Sequence, residues 1–229
     1  ARKMKRWSNM AKTFTRIGRE IIIAVKDSGP DPSTNSKLRA IIQNAKAANM
    51  PKDNIDRAIK NASEKNTEDF KEILLEGYAP YGIAILVEAA TNNNNRTVAN
   101  IRSYFNKCDG SLATSGSVDF LFNHLCFFQI RDEGLDLEEL ELDLIDFGVT
   151  DLSKSENEIS ITAKFENFGS LQKELERRKF NITSSEFERE AITLKDLSED
   201  EMIKVEKLVN MIDEDDDVQN IYHNMRSVN

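Results

Sequence analysis

Apolar residues recur at helical spacing near the start of the chain. Met10, Phe14, Ile17, Ile21 and Val25 follow one another at intervals of four, three, four and four, which draws a single stripe along a helix. Gly29-Pro30-Asp31-Pro32 must end it, because two prolines cannot continue the hydrogen-bond ladder. Ser33, Thr34 and Asn35 can each cap the next helix, whose core face is Leu38, Ile41, Ile42 and Ala45. Asn49-Met50-Pro51 closes it, and Pro51 suits the first turn of a third helix carrying Ile55, Ala58 and Ile59. Three amphipathic helices joined by short loops predict a small bundle or helical arm over residues 1–64.

Beyond residue 70 the period changes from helical to alternating. Ile83, Ile85 and Val87 alternate as a strand does, and the segment around Ile73-Leu74-Leu75 can pair with them through an Ala79-Pro80-Tyr81-Gly82 turn. Val98, Ile101, Phe105 and Cys108 mark a helix, and Ser117 to Phe122 reads as a strand. Near the end, Met202, Val205, Leu208 and Ile212 mark another helix and Val218 to Tyr222 a closing strand. The middle repeats the grammar by itself. A strand at Phe127–Ile130 is followed by a helix on Leu137, Leu140, Leu144 and Phe147. A strand holding Ile159 and Ile161, a helix on Phe168, Leu171 and Leu175, and a strand from Ile182 to Phe187 complete it. That order approaches the split βαββαβ unit. The expected class is α+β: a basic helical domain (1–64), a discontinuous α/β domain (65–125 plus 191–229), and an acidic ferredoxin-like α/β domain (126–190) inserted into the second.

The charge of the chain is uneven along its length. The net charge of −9 argues at first against a nucleic-acid partner, yet residues 1–60 hold 14 Lys+Arg against 5 Asp+Glu, a net of +9, and the remainder carries −18. Such asymmetry points to nucleic-acid contact by the positive end. Residues 132–190 hold 7 basic and 17 acidic side chains, a net of −10, so the insert should avoid phosphates; it suits a basic protein, such as a ribosomal protein, or serves only to keep the chain in solution. No apolar run approaches the roughly 18–20 residues of a membrane span. No secretory h-region follows the basic start, and the opening at Ala1 rather than Met suggests a lost or processed upstream piece. Cys108 and Cys126 form neither a CxxC pair nor a metal-ligand spacing, which fits reduced thiols and a cytoplasmic location.

The candidate chemistry is that of phosphate binding. Arg2, Lys3, Lys5, Arg6, Lys12, Arg16 and Arg19, with Trp7 and Phe14 interleaved, form a first basic set. Its cations would neutralise phosphates and release counterions, and Trp7 could stack on an unpaired base. The competing reading is a solvated arm with Trp7 as a packing anchor. Lys37, Arg39, Lys46, Lys52, Arg57 and Lys60 form a second set, which alone would read as an ordinary wet helix surface. Asn92, Asn93, Asn94, Asn95 and Arg96 precede a helix; they could bind an anion at its mouth or simply order its first turn. The Gly110–Gly116 segment lacks the P-loop pattern, and Asp213–Asp217 lacks the ligand spacing of a calcium loop, reading instead as a solvated turn. His124 and His223 stand alone. No nucleophile, base and orienter set is recognisable, so neither an enzyme nor a cofactor is expected.

Lys46-Ala47-Ala48-Asn49-Met50-Pro51-Lys52-Asp53-Asn54-Ile55, Glu76-Gly77-Tyr78-Ala79-Pro80-Tyr81-Gly82 and Thr91-Asn92-Asn93-Asn94-Asn95-Arg96-Thr97-Val98 together carry a resemblance. So do Gly110 to Leu112, Gly116-Ser117-Val118 and Phe122. The chain resembles the YebC / mitochondrial translational-activator family over nearly its whole length. The resemblance implies a three-domain, non-enzymatic protein. Members have been labelled DNA-binding transcriptional regulators. Mitochondrial members activate synthesis of a respiratory-chain subunit, and bacterial ones are linked to ribosomes stalled on proline-rich sequence. The family's usual opening, a Gly-His-Ser-Lys-Trp stretch, is replaced here by Ala1-Arg2-Lys3-Met4-Lys5-Arg6-Trp7. The expected partner is therefore rRNA, tRNA or the ribosome, with duplex DNA as the alternative. No helix-turn-helix signature is visible.

Overall fold

The apolar stripe of the first segment folds as one long helix, α1 (Arg2–Ser28), with Ile17, Ile21, Ala24 and Val25 buried. The computed structural model describes residues 2–65 and 67–226, and side chains from residue 9 onward, so the expectations for Arg2, Lys3, Lys5, Arg6 and Trp7 lie outside the described side chains. Gly29, at φ 89, ends α1 by donating its N–H to the Val25 carbonyl. Of the three possible caps, Asn35 is the one used: its side chain accepts from the Leu38 N–H at the start of α2 (Ser36–Ala47) and donates to the Ala24 carbonyl at 2.8 Å. One buried amide thus caps α2 and ties it to the end of α1.

The Asn49-Met50-Pro51 stop is a Schellman closure. Met50 N–H reaches back to the Ala45 carbonyl and Asn49 N–H to that of Lys46, with Asn49 at φ 59, a left-handed conformation that asparagine tolerates. Met50 drops into the same core cluster as Ala45, and Pro51 is the N-cap of α3 (Lys52–Ala62).

The inserted segment is built from β4 (Phe122–Arg131), α5 (Leu137–Leu144), β5 (Val149–Ser155), β6 (Glu158–Lys164), α6 (Phe168–Arg177) and β7 (Ile182–Ala191). Its sheet runs β5-β6-β4-β7, the order of a split βαββαβ unit. Alternate residues Cys126, Phe128 and Ile130 of β4 and Ile159, Ile161 and Ala163 of β6 face its helices and form the core with Leu140, Leu144, Leu171 and Leu175. Residues 1–67 and 124–189 make one compact unit. Within it, β7 is an edge strand, and the Asn44 side chain completes part of its edge: the Asn44 amide donates to the Ser185 carbonyl at 2.5 Å and accepts the Ser185 N–H at 2.9 Å. Covering an edge in this way removes a site for unwanted strand pairing.

The second unit, residues 68–123 and 190–229, is formed by β1 (Lys71–Ala79), β2 (Ile83–Thr91), α4 (Asn94–Lys107), β3 (Ser111–Leu112), α7 (Glu199–Asp213) and β8 (Val218–His223). Its sheet order is β3-β1-β2-β8, antiparallel throughout. α4 and α7 cover one face through Ile101, Phe105, Val205, Leu208 and Ile212.

The strand expected at Ser117–Phe122 is corrected by the fold. Asp119–Leu121 forms a 3-10 turn, and the strand begins at Phe122. The cause is Glu76, a carboxylate buried in β1. It accepts N–H groups from Gly116 and Val118 at 2.7 Å and from Asp119 at 2.9 Å, drawing that backbone into a loop around itself. The neighbouring Gly77 admits no side chain. A Cβ there would lie 2.6 Å from the Phe105 ring and 2.8 Å from the Ser111 carbonyl oxygen.

Gly77→Ala should therefore destabilise the second unit by roughly 1–3 kcal/mol through overpacking. Urea unfolding should show a lowered midpoint; an unchanged midpoint would mean that Phe105 yields without cost.

Candidate nucleic-acid interface

The cations proposed for phosphate binding separate into three groups once their neighbours are known. In the first, Lys12, Arg16 and Arg19 follow one another at helical spacing along α1, away from its Ile17–Ile21 core face. All three are half-buried, as is Lys37 in α2, and each already has a partner within the protein.

The second group is committed to holding the fold together. Arg39, on α2, lies 137 positions from Glu176 of α6, yet its Nε and Nη2 donate to the two oxygens of that carboxylate at 3.0 and 3.1 Å. Its Nη1 donates to the carbonyls of Pro32 and Ser33 at 2.7 and 3.2 Å. Bidentate pairing of this kind uses the rigid fork of the guanidinium in full. Beside it the Gln172 amide of α6 donates to the Ser36 carbonyl at 3.1 Å. Arg39 is thus a fastening between α2 and α6 within the first compact unit. Further along α6, the Arg177 and Arg178 guanidiniums hold the Glu174 carboxyl far below its ordinary range, at about 2.

Arg96 belongs to the same group. Asn93 caps α4 by accepting the Arg96 N–H at 3.1 Å. The Arg96 guanidinium donates to Asn92 at 2.9 Å and to Asp217 at 3.0 Å. Asp217 is buried and also accepts the Thr97 hydroxyl at 2.6 Å, and the Thr97 and Thr91 hydroxyl oxygens lie 2.7 Å apart. Two positions away, Asp215 accepts the Tyr104 hydroxyl at 2.9 Å, and burial together with that carboxylate pushes the Tyr104 phenol up to about 12. The Asn92–Arg96 loop is therefore a cap and clamp for α4. The acidic run, expected to be a solvated turn, supplies two of the clamp's anchors. Asn94 and Asn95 remain exposed in the first turn.

The third group is exposed. Lys46 sits in the last turn of α2, and Lys52, Arg57 and Lys60 sit on α3; among the described residues none of them forms an ion pair. Lys46 and Lys52 flank the Asn49–Pro51 closure, which fixes the angle between the two helices that carry them. Asp53 and Asp56 share the α3 surface, so this patch holds four cations and two carboxylates.

The remaining singled-out residues have structural surroundings. His124 stacks on Phe165 with ring centroids 3.8 Å apart. His223 is partly buried in β8, and that burial keeps its pKa below the ordinary 6.5. Cys108 and Cys126 are buried free thiols, and burial pushes Cys126 up to about 11. Among the described residues no helix is long and apolar enough to cross a membrane, and no cluster of three or more His, Cys, Asp or Glu is placed to hold a metal.

Comparison with known proteins gives the chain's relatives. Residues 1–65 match the family description "TACO1/YebC protein N-terminal domain", and residues 70–225 match "TACO1/YebC second and third domain". A "Probable transcriptional regulatory protein" of Flavobacterium johnsoniae is 63% identical over 225 residues, covering 98% of this chain and 95% of that protein. A protein of the same description from Porphyromonas gingivalis is 53% identical over 227 residues, covering 99% and 94%. Among solved structures, a conserved hypothetical protein from Aquifex aeolicus is similar with a TM-score of 0.75 and 36% identity, over 94% of this chain and 90% of that one.

A double-mutant cycle on Arg39→Ala and Glu176→Ala should return a coupling of about 1 kcal/mol in chemical unfolding, the upper end for a partly exposed pair because it is bidentate. Additive effects of the two substitutions would remove the fastening role.

Proposed function

Because this chain belongs to the TACO1/YebC family, we propose that it regulates gene expression as a non-enzymatic factor that holds nucleic-acid backbone, foremost the RNA of the ribosome, against its N-terminal helices. The observation that carries this reading is the group Lys46, Lys52, Arg57 and Lys60, exposed and without ion pairs among the described residues, in a chain of net charge −9. Exposed ammonium and guanidinium groups bind phosphate by counterion release, independent of base sequence. Groups already paired with carboxylates, such as Arg39, add little to it. The acidic inserted domain would face protein or solvent, where its charge repels misplaced phosphate and suits a basic protein surface.

RNA takes precedence over sequence-specific DNA because the exposed cations are of the phosphate-binding type and the sequence carries no recognisable helix-turn-helix signature. A second reading, duplex DNA bound by the same helices in transcriptional control, is favoured by the printed description of the bacterial relatives as probable transcriptional regulatory proteins.

Co-sedimentation with ribosomes across a salt series, beside a duplex-DNA binding assay, separates the two. The expected result is ribosome association that declines steeply with salt. Replacing Lys52, Arg57 and Lys60 together by Glu should reduce the log–log salt slope by about 2, given roughly 0.7 per phosphate contact on single strands. Strong sequence-specific duplex binding without ribosome association would reverse the ranking of the two readings.

A further inference from the structure

Arg96 makes the Asn92–Arg96 loop a candidate anion site by sequence, but the buried Asp217 pairs with that guanidinium. The same helix carries positive charge further along, on its other side. α4 buries Thr97, Ile101 and Phe105. Its opposite face holds Ala99, Arg102, Ser103, Asn106 and Lys107, and these five residues line a shallow depression. Ala99, Ser103 and Lys107 follow one i,i+4 row, and Arg102 and Asn106 the row beside it, so the long cationic side chains flank a floor of small and polar ones.

Two observations distinguish this surface from an ordinary wet helix face, and a third makes its cations available to a ligand. First, residues 92–108 contain Arg96, Arg102 and Lys107 and no Asp or Glu at all. Second, the unit that carries the helix is strongly acidic, with 8 Lys+Arg against 18 Asp+Glu over residues 68–123 and 190–229. Third, Arg102 and Lys107 are exposed, and neither forms an ion pair among the described residues despite that excess of carboxylate. A helix face free of carboxylates that presents two exposed cations beside a hydroxyl and an amide offers what a phosphodiester needs: a guanidinium fork and an ammonium for the charge, and Ser103 and Asn106 to hydrogen-bond phosphate or ribose oxygens. The small side chain of Ala99 leaves room for the backbone of a ligand to approach the helix.

We infer that the α4 trough of Arg102, Ser103, Asn106 and Lys107, over Ala99, is a second binding site for nucleic-acid phosphodiester backbone. It rests on the reading of the protein as a nucleic-acid-binding factor and extends it to a unit whose net charge would exclude it. The site takes backbone of either RNA or DNA by the same chemistry.

The test uses the full chain and fluorescence anisotropy with a labelled oligouridylate and, in a parallel arm, duplex DNA of matched length. Arg102→Glu with Lys107→Glu should weaken binding at least about tenfold and reduce the salt slope by roughly 1.4 for the single strand. Arg102→Gln with Lys107→Gln should give a smaller loss in the same direction, with unchanged circular dichroism and urea midpoint. Whichever arm loses more identifies the backbone that the trough takes. If the wild-type protein binds and both double variants match it in affinity and slope, the trough is not a site, while the proposed function stands. If only the Glu variant weakens, the effect is repulsion and the inference fails. If the wild-type protein binds neither probe, inference and proposed function fall together; loss of binding on substituting Lys52, Arg57 and Lys60 with the α4 variants unaffected removes the inference alone.

Discussion

A guanidinium that lies 3.0 Å from a carboxylate has its donors occupied and its field offset by that partner, and this constraint weighs on which basic residues of the protein can bind phosphate. Arg39 with Glu176 and Arg96 with Asp217 are both ion-paired within the protein, although the Arg96 side chain stays 48% exposed, and both pairs serve packing. The first joins α2 to the inserted domain; the second clamps the start of α4 to the turn before β8. Net charge along the sequence is therefore a poor guide to binding surface. What matters is which cations the protein's own carboxylates leave uncovered; among the described residues these include Lys46, Lys52, Arg57 and Lys60 in one unit and Arg102 and Lys107 in the other.

Carboxylates also build the loops between elements. Glu76 gathers three backbone N–H groups and so bends residues 116–119 away from strand geometry. A buried carboxylate is tolerated at such a position because those donors satisfy its oxygens. The stretch Glu76-Gly77-Tyr78-Ala79-Pro80-Tyr81-Gly82 acquires a residue-by-residue account. Glu76 holds the loop, Gly77 admits the Phe105 ring, and Tyr81 and Gly82, at φ 63 and 69, turn β1 into β2. The stretch Ala48-Asn49-Met50-Pro51 is explained in the same terms, as a left-handed helix stop whose apolar residue returns to the core before the next helix begins.

These particulars also mark what was legible in the sequence. Local signals were read well: the α1 stripe, the Asn35 cap among three options, the hairpin across Pro80–Gly82, and the βαββαβ order of the insert all depend on residues near one another. Contacts at long separation were not. Nothing near Arg39 announces a partner 137 positions away, nor anything near Arg96 one 121 positions away. The strand assigned to residues 117–122 failed for the same reason, since its competitor, Glu76, lies about 40 positions upstream. The α4 face could have been found from sequence, because an acid-free run of 17 residues within an acidic segment is visible by inspection.

The most direct test of the account is a comparison of paired with unpaired cations in one assay. The salt dependence of oligouridylate binding would be measured for Lys52→Gln with Arg57→Gln and for Arg39→Gln with Arg96→Gln, each a loss of two positive charges. The account predicts that the first pair lowers the log–log slope by roughly 1.4 and the second leaves it where it is in the wild type. Equal reductions from both would contradict it, since phosphate binding would then follow total charge and not the charge left uncovered by the fold.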